Sequence, residues 1–383
     1  MKRLLVAGVA ALMVIACSVS VKKSGSERLV IPAGSYEDTL RFLYSLSPHQ
    51  WPAPFIDSGV QWQELGKIPA SPLENVKDSL RLQIALGKAL FFDPRLSGSN
   101  QISCATCHQP ELSWTDGRRR SLGHEQRENR RNSPGLLNVW YYNRLFWDGR
   151  SADLEDQSFG PINSESEMHS DMPEVMRKLR RIPGYRALFD SAFAGEGINP
   201  ETLSQALATF QRTLVSAAAD FDRFLEGDKQ AMSDEALRGL HIFRTKARCM
   251  NCHNGPLLTD NDFHNLGLSR YQLDHEDLGL YYFTHKAEDA GKFKTPSLRD
   301  VMRTGPWMHN GMFDNMEVLM SRYISGMPHQ VAVGDQVNDS LFPRPDRLIK
   351  RLVLTSREKE DLIAFLESIT APPPPIELPE LPK

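Results

Sequence analysis

The sequence predicts a mainly α-helical protein made of two similar lobes that are joined by long loops. Helical periodicity dominates the apolar pattern, strand signals are sparse, and two Cys-x-x-Cys-His units lie 145 residues apart. The 383 residues are 40% apolar and 24% charged, which is enough material for a core and excludes a disordered chain or a coiled coil. The formal net charge of −3 is too close to neutrality to indicate a nucleic-acid partner.

Residues 1–17 have the pattern of a secretory signal peptide. Lys2 and Arg3 precede an apolar stretch over residues 4–16, which is too short to span a bilayer. The stretch ends in Cys17, and this ending resembles the bacterial lipobox, in which the cysteine is acylated. A plain signal peptide with an incidental cysteine is the alternative. We expect a periplasmic lipoprotein, anchored to the outer membrane only through Cys17, with residues 18–79 as a tether and N-terminal extension.

Four helices are predicted along the rest of the chain. The first covers residues 80–92 and leads toward the first cysteine pair. Residues 201–225 predict a second, and Ser233 is the expected N-cap of a third that runs into the second pair. Thr355 and Glu358 form a capping-box pattern for the last helix, which is followed by a Pro-rich tail over residues 371–383. The predicted buried stripe of the second helix is Leu203, Leu207, Phe210, Leu214 and Phe221.

The two cysteine motifs are typical of c-type haem attachment sites. Two thiols at this spacing can bond to one porphyrin, and the histidine that follows then lies under the iron. A zinc site would need its four ligands close together, which two distant pairs fit poorly. Disulfides within each pair would not explain a histidine after both. The predicted haem-binding residues are Cys104, Cys107 and His108 in the first motif, and Cys249, Cys252 and His253 in the second.

Segments around these motifs resemble the bacterial dihaem cytochrome c peroxidases and the related MauG-type enzymes. The segments are residues 86–97, 131–138, 146–150 and 294–299, and the match extends from about residue 80 to residue 370. The resemblance implies two cytochrome c-like helical lobes, each with one covalent c-type haem. The N-terminal peroxidatic lobe would be residues 80–200, and the C-terminal electron-transfer lobe residues 201–370.

The resemblance also implies a peroxide site at the first haem. Glu167 matches the distal acid/base, Gln157 its hydrogen-bonding companion, and Pro161 a residue that shapes the pocket. A carboxyl group in a partly dry pocket can have a pKa near neutrality, where proton transfer is efficient. A solvated loop carboxylate is the alternative for Glu167. Trp147 matches the tryptophan that relays an electron between the haems, although a lone tryptophan is often only a core residue.

Two further sites follow from the same resemblance. His124 occupies the position of the histidine that caps the peroxidatic iron in the oxidised resting state, with a surface side chain as the alternative. Asn132, Thr304 and Pro306 match oxygen ligands of a calcium ion between the lobes.

The ligand of the second haem distinguishes the two branches of the family. In the cytochrome c peroxidases it is a methionine, and in the MauG-type enzymes it is a tyrosine. Tyr323 falls at this position here, with Met320 and Met327 as rivals. His264 and His309 match positions near this haem and are interpreted as supporting or core histidines.

Three functions are compatible with these features. The first is a peroxidase that reduces hydrogen peroxide to water with electrons from a donor cytochrome or small redox protein. The second is a MauG-type oxidase that uses peroxide to oxidise a partner protein through a high-valent dihaem state. The third is a dihaem electron carrier, which would have no use for the pair Glu167 and Gln157. We expect no nucleic-acid partner, and the resemblance is compatible with a homodimer.

Overall fold

The computed structural model describes residues 33–383, so the predicted signal peptide and Cys17 lie outside the described residues. The described chain is mainly helical, as predicted, with one antiparallel pair of two-residue strands. None of its helices is long and apolar enough to cross a membrane. The helices are α1 (Tyr36–Tyr44), α2 (Arg81–Phe92), α3 (Cys104–Cys107), α4 (Leu154–Asn163), α5 (Met172–Arg180), α6 (Pro183–Ala192), α7 (Pro200–Gln211), α8 (Asp220–Leu225), α9 (Asp234–Arg244), α10 (Tyr281–Thr284), α11 (Met316–Ile324) and α12 (Ser356–Ser368), and the strands are β1 (Phe263–His264) and β2 (Phe293–Lys294).

The buried apolar side chains form two large clusters. The first core is built between Leu86 and Leu214 and contains α2 and α7. The second core combines residues near the start of the described chain with α9, α11 and α12. Because α7 packs in the first core, the division between the cores falls beyond residue 200, after Leu214.

Each core is organised around one close helix crossing. A Cβ atom on Gly87 of α2 would lie 1.9 Å from the carbonyl oxygen of Ala206 in α7. A Cβ atom on Gly239 of α9 would lie 1.9 Å from the carbonyl oxygen of Asp361 in α12. Glycine is therefore required at both crossings, and each core contains its own helix pair with the same kind of close approach.

The predicted helix over residues 201–225 is interrupted. Helix α7 ends at Gln211 and α8 begins at Asp220 because Asn138 takes over the backbone hydrogen bonds between them. Its N–H donates to the carbonyl oxygen of Leu214 (2.8 Å), and its Oδ1 accepts from the N–H of Ser216 (3.1 Å). The predicted stripe is buried throughout, but Phe221 belongs to the second core.

The predicted helix caps are confirmed. Ser233 Oγ accepts a hydrogen bond of 3.1 Å from the N–H of Ala236 at the start of α9. Thr355 and Glu358 form a reciprocal capping box at the start of α12. Both caps satisfy N–H groups that have no partner within the helix.

The two ends of the described chain pack on opposite cores. Helix α1 packs on α9 in the second core, where Arg41 pairs with Asp234 at 2.6 Å. The Pro-rich tail returns to the first core, where Ile376 packs and Arg95 donates to the carbonyl oxygen of Pro382 (2.9 Å). Segments predicted as an extension and a tail are therefore packed parts of the fold.

The backbone contains an internal repeat with a spacing of 162 residues. Asn138 and Asp300 both adopt the left-handed conformation, with φ of 58° and 59°, and each is followed by a 3₁₀ turn. At the same spacing, Asp153 caps α4 and Asn315 caps α11. Helices α4 and α11 are therefore equivalent elements of the two repeats.

Candidate functional site

At the first motif, one helical turn carries both thiols and the histidine follows it. Cys104 and Cys107 are three residues apart in α3, so they lie on one face. His108 Nδ1 lies 2.9 Å from the carbonyl oxygen of Trp114. A carbonyl only accepts, so Nδ1 carries the hydrogen and Nε2 keeps its lone pair for a metal ion. Burial lowers the pKa of His108, an effect that the nearby backbone of Pro134 partly offsets, and this favours the neutral, metal-binding form.

The second motif repeats this arrangement. A 3₁₀ turn over Cys249–Asn251 positions the thiols, and His253 Nδ1 lies 3.0 Å from the carbonyl oxygen of Leu258. Burial lowers the pKa of His253, and the backbone of Pro296 partly offsets this effect. Pro134 and Pro296 have the 162-residue spacing, which explains why the two segments that contain them have similar sequences.

A cavity of about 260 Å³ adjoins the second motif and extends between the two repeats. Cys249, Cys252 and His253 line it, and its walls are largely apolar. Ser113 Oγ and Arg248 Nε belong to lining residues, are buried, and have no hydrogen-bond partner among the described residues. Two thiols, an imidazole with a free Nε2, apolar walls and unpaired polar atoms fit a covalently attached haem with charged propionates.

Glu167 lies on a loop that folds back on the end of α4. The N–H of Met168 donates to the carbonyl oxygen of Pro161 (3.1 Å), and Gln157 lies one turn before Pro161 on the same helix face. Burial raises the pKa of Glu167, and the positive charge of Arg150 partly opposes that rise. The loop thus brings Glu167 to the helix end that carries the other two predicted distal residues.

The same carboxyl group lies within electrostatic range of the first motif. Burial is the main cause that raises the pKa of the Cys104 thiol to about 12 and that of Cys107 to about 11, and the charge of Glu167 adds to both shifts. Glu167 is therefore a half-buried group beside the first haem-attachment site rather than a solvated surface carboxylate. Its neighbour Glu165 is exposed.

His124 is half-buried against the Glu167 loop. Its backbone N–H donates to the carbonyl oxygen of Glu167 (2.8 Å), and its ring stacks on His169 with the centroids 4.4 Å apart. Its Nδ1 is buried and has no hydrogen-bond partner among residues 33–383. A side chain held in this way is not a free surface histidine.

Tyr323 lies on α11 and lines the cavity beside the second motif. Burial raises its pKa, and the thiols of Cys252 and Cys249 add to the shift. Met320 lines the same cavity, whereas Met327 is 2% exposed and is absent from the lining. At the 162-residue spacing, Tyr323 corresponds to Pro161 of α4. Tyr323 and Pro161 therefore occupy equivalent positions on α11 and α4, and the choice between Tyr323 and Met320 as iron ligand stays a prediction.

Trp147 lies where the two repeats meet. The N–H of Lys294 donates to the carbonyl oxygen of Trp147 (2.9 Å), and the N–H of Asn132 donates to that of His309 (2.8 Å). The two donors, Asn132 and Lys294, lie 162 residues apart, and so do the two acceptors, Trp147 and His309, so these two hydrogen bonds are equivalent across the junction. Trp147 Nε1 also donates to the carbonyl oxygen of Asn132 (2.9 Å), and the indole lines the cavity.

The three predicted calcium ligands line this cavity together. They are Asn132, Thr304 and Pro306. The amide nitrogen of Asn132 donates to the carbonyl oxygen of Arg118 (3.0 Å), which leaves its side-chain oxygen available. These three residues offer uncharged oxygen atoms, which suit a calcium ion but supply little charge to hold it.

Both supporting histidines of the second site are fixed by neighbours. His264 lies between the carboxylates of Asp260 (2.8 Å) and Asp346 (2.6 Å), which raise its pKa to about 12 although burial opposes them. His309 stacks on Phe293 with the centroids 3.5 Å apart, and burial lowers its pKa to about 3. Cys252, Asp260 and His264 lie within 4.8 Å of one another, but this cysteine belongs to a haem motif, so we do not assign a separate metal site.

Three residues near the sites have no role in the sequence-based predictions. The charge of Arg150 lowers the pKa of Glu167 against the effect of burial, His169 stacks on His124, and Lys294 lines the cavity with its Nζ 3.6 Å from the ring centroid of Tyr142. Arg150 and Lys294 belong to segments that carry the family resemblance, so their sequence context was a usable signal. His169 has no such signal.

Comparisons with known proteins agree with this geometry. The family model described as di-haem cytochrome c peroxidase matches residues 81–230. The methylamine utilization protein MauG of Methylorubrum extorquens is 41% identical over 303 residues, which cover 78% of this chain and 81% of that protein. The cytochrome c551 peroxidase of Nitrosomonas europaea is 31% identical over 315 residues, covering 82% and 87%. A solved MauG-like protein associated with microbial copper homeostasis superposes with a TM-score of 0.67 at 29% identity, covering 82% of this chain and 95% of that one.

Proposed function

Because the chain belongs to the di-haem cytochrome c peroxidase family, which includes MauG, we propose that it is a dihaem peroxidase. It would reduce hydrogen peroxide to water with electrons from a donor cytochrome or small redox protein. The family implies two c-type haems. One would be held by Cys104, Cys107 and His108, and the other by Cys249, Cys252 and His253.

Bound haem iron supplies the site where peroxide binds and is reduced. Glu167 supplies the proton transfer, since its half-buried carboxyl group can take a proton from one peroxide oxygen and return it to the other. Burial raises its pKa, which brings the group closer to the range in which it both accepts and donates a proton near neutral pH. Gln157 holds the substrate by a hydrogen bond, and Pro161 on the same helix face limits the space beside it.

His124 controls access to this site in the proposal. It is packed on His169 and bonded to the backbone of the Glu167 loop, so it is already held beside the distal residues. Its Nδ1 has no hydrogen-bond partner among residues 33–383, so this ring nitrogen is available for a further interaction. The oxidised resting protein should then show two low-spin haems, and one-electron reduction should produce a high-spin signal. His124→Gly should be high-spin before any reduction, whereas His275→Gly, in an exposed loop, should keep the wild-type spectrum.

Trp147 acts as an electron relay between the two sites. Its indole lines the cavity beside the second motif, and its carbonyl group bonds across the junction of the repeats. An electron from a donor on the second side therefore has an aromatic group on its way to the first.

The placement of Glu167 beside the first motif is the observation that carries the peroxidase proposal. A dihaem electron carrier would not need a half-buried carboxyl group there. The test is consumption of hydrogen peroxide by the haem-loaded protein with a reduced cytochrome c or a small dye as donor. Donor oxidation in proportion to peroxide supports the proposal, and an inert protein with both haems attached would leave the carrier hypothesis.

Tyr323 favours a second candidate function, the MauG-type oxidation of a partner protein. A tyrosinate ligand stabilises ferric iron and disfavours electron uptake from a high-potential donor. If this function is correct, peroxide-treated ferric protein should keep two oxidising equivalents for minutes, measurable by later titration with a reductant. Rapid loss of those equivalents, together with fast donor turnover, would favour the peroxidase.

The calcium ion, the lipid anchor and the periplasmic location are further parts of the proposal. Asn132, Thr304 and Pro306 line one cavity, which supports a shared ion. Calcium analysis of the protein before and after chelation tests it. Membrane fractionation of Cys17→Ser against the wild type tests the anchor, and a soluble variant is expected.

A further inference from the structure

Two neighbouring aromatic side chains are exposed on α10. Tyr282 and Phe283 keep 40% and 44% of their surface exposed. The guanidinium group of Arg130 lies 5.8 Å from the ring centroid of Tyr282, and that of Arg144 lies 5.4 Å from that of Phe283. These four side chains, here called the Arg-aromatic patch, combine arginines from the first repeat with aromatic rings from the second.

The charges of the two arginines are not neutralised. In residues 33–383, neither Arg130 nor Arg144 has a carboxylate oxygen within 4.0 Å, and both are exposed. Arg130 donates to the backbone oxygen of Glu276 (3.2 Å), while the carboxylate of that residue accepts from the N–H of Gln272. Residues 117–150 contain eight arginines and only three carboxylates, although the whole chain has a net charge of −3. Four of these arginines pair with carboxylates, so in residues 33–383 the unpaired positive charge of this stretch comes from Arg118, Arg119, Arg130 and Arg144.

This combination is suited to an acidic protein partner. Arginine and aromatic side chains are enriched among the residues that dominate binding at protein interfaces. Unpaired guanidinium groups attract carboxylates on a partner and speed the encounter at low salt. The exposed rings supply apolar area that a partner can cover.

The Arg-aromatic patch lies close to the proposed electron path. Lys294 Nζ donates to the carbonyl oxygen of Arg144 (3.2 Å), and the backbone N–H of Lys294 donates to the carbonyl oxygen of Trp147. Lys294 thus connects the Arg-aromatic patch to the segment that contains Trp147, through one hydrogen bond to each. A redox group held at the patch would be near Trp147.

We infer that the Arg-aromatic patch is the docking surface for an acidic c-type cytochrome. This inference rests on the proposed function, because it identifies the class of donor that the peroxidase uses. The partner presents carboxylates to Arg130 and Arg144 and covers the rings of Tyr282 and Phe283.

The test measures binding of an acidic monohaem cytochrome c to the immobilised haem-loaded protein by surface plasmon resonance. Arg130→Glu/Arg144→Glu should raise Kd about tenfold or more, and Phe283→Ser should raise it several-fold. Arg181→Glu/Arg186→Glu is the matched control, since it changes the same charge at exposed arginines near the first core that have no carboxylate partner. This control variant should change Kd by less than about twofold. Peroxide turnover with a small dye should be unchanged in all variants.

The outcomes separate this inference from the proposed function. Equal effects of the two double variants, or stronger binding of a basic cytochrome c or of single-stranded oligonucleotide than of the acidic cytochrome, would overturn the docking surface. The peroxidase would still stand if turnover with the dye persists. Patch-dependent cytochrome binding without turnover of either donor would refute the peroxidase and leave the docking surface in place.

Discussion

At the first site the carbonyl group of Trp114 holds the ring of His108, and at the second the carbonyl group of Leu258 holds the ring of His253. On the opposite side the two sites differ. Helix α4 has Pro161 at the position where α11 has Tyr323. The half-buried carboxyl group near the thiols is Glu167 at the first site, whereas at the second site it is Asp260, which is hydrogen-bonded to His264 (2.8 Å). One repeated scaffold therefore presents two similar haem-attachment motifs and surrounds them with different side chains.

The two sites also differ in how their side chains are held by the backbone. Tyr323 is placed by a helix, whereas Glu167 and His124 lie on loops that are bonded to each other. A helix fixes its side chains more firmly than a loop does, so the proposed change between closed and open forms would occur at the first site. The second site should keep one ligand set, while the first responds to its redox state.

The largest expected effect tests the role of Tyr323 at the second site. Tyr323→Met should raise the potential of the C-terminal haem by a few hundred millivolts, because a thioether favours ferrous iron more than a phenolate does. Each 59 mV is about a tenfold change in a one-electron equilibrium. A spectroelectrochemical titration measures it, with Met320→Leu as the control that should leave the potential unchanged. An unchanged spectrum and potential in Tyr323→Met would transfer the ligand role to Met320.

The next effect concerns the junction that both repeats share. Arg131 makes two hydrogen bonds to Asp277, of 2.7 and 2.8 Å, and the pair is largely buried. Asp277→Asn should destabilise the protein by about 3 kcal/mol at neutral pH, because it leaves the arginine partly uncompensated. Denaturant unfolding of the haem-loaded protein measures this loss, and Asp274→Asn, an exposed neighbour, should change little.

The sign of the pH dependence follows from the pKa of Asp277. Burial alone would raise this pKa, but Arg131 and the N–H of Gly279 outweigh burial and lower it below the usual 3.8. The stabilisation is therefore complete above about pH 4 and is lost as the pH falls through the folded-state pKa. The stability difference between wild type and Asp277→Asn should shrink in acid; a constant difference down to pH 2 would contradict the assignment.

The third effect tests the distal difference at the first site. Glu167→Gln should slow peroxide cleavage roughly 10²-fold, the usual size of a lost acid/base contribution, with both haems still attached. Stopped-flow mixing with peroxide measures the rate. Glu165→Gln, two residues away and exposed, should behave as the wild type. Wild-type rates in a fully haem-loaded Glu167→Gln protein would remove Glu167 from the mechanism.

The smallest effect tests the similarity of the two cores. Gly87→Ala and Gly239→Ala each place a methyl group against a backbone carbonyl at a helix crossing. Both should destabilise the fold by about 1–3 kcal/mol, the usual size of overpacking. Thermal unfolding compares them with Gly195→Ala, whose Cβ atom would meet nothing within 4 Å although its φ of +91° adds strain. A large loss in only one core would show that the helix pairs are not equivalent.

The haem-attachment motifs could be predicted from sequence because their geometry is local. Cys104 and His108 lie within one turn and its next residue, so spacing alone determines how they meet. The ligand opposite His253 could not be settled, because Met320 and Tyr323 are one turn apart on α11 and both line the cavity. Tyr323 is the residue equivalent to Pro161, but this relation depends on aligned backbone conformations rather than on identical residues, and the ligand role of Tyr323 stays a prediction.

Long-range contacts account for the other differences. The helix over residues 201–225 was predicted as continuous from its apolar period, and a distant residue, Asn138, interrupts it. The packing of the Pro-rich tail on the first core depends on contacts such as that between Arg95 and Pro382, which no local pattern reveals.

Each end of the described chain packs on the core that is formed mainly by the other part of the chain, and this has a consequence for the order of folding. Helix α1 packs on α9, which follows it by about 190 residues, and the first core is complete only when Ile376 has been added. Contacts so distant along the sequence slow folding, because the chain loses the entropy of closing large loops before the stabilising contacts form. We therefore expect the nascent chain to pass through an open stage before both cores are complete. The thiols of both motifs would be exposed during that stage, when a bulky, flat ring could be attached covalently without a steric barrier.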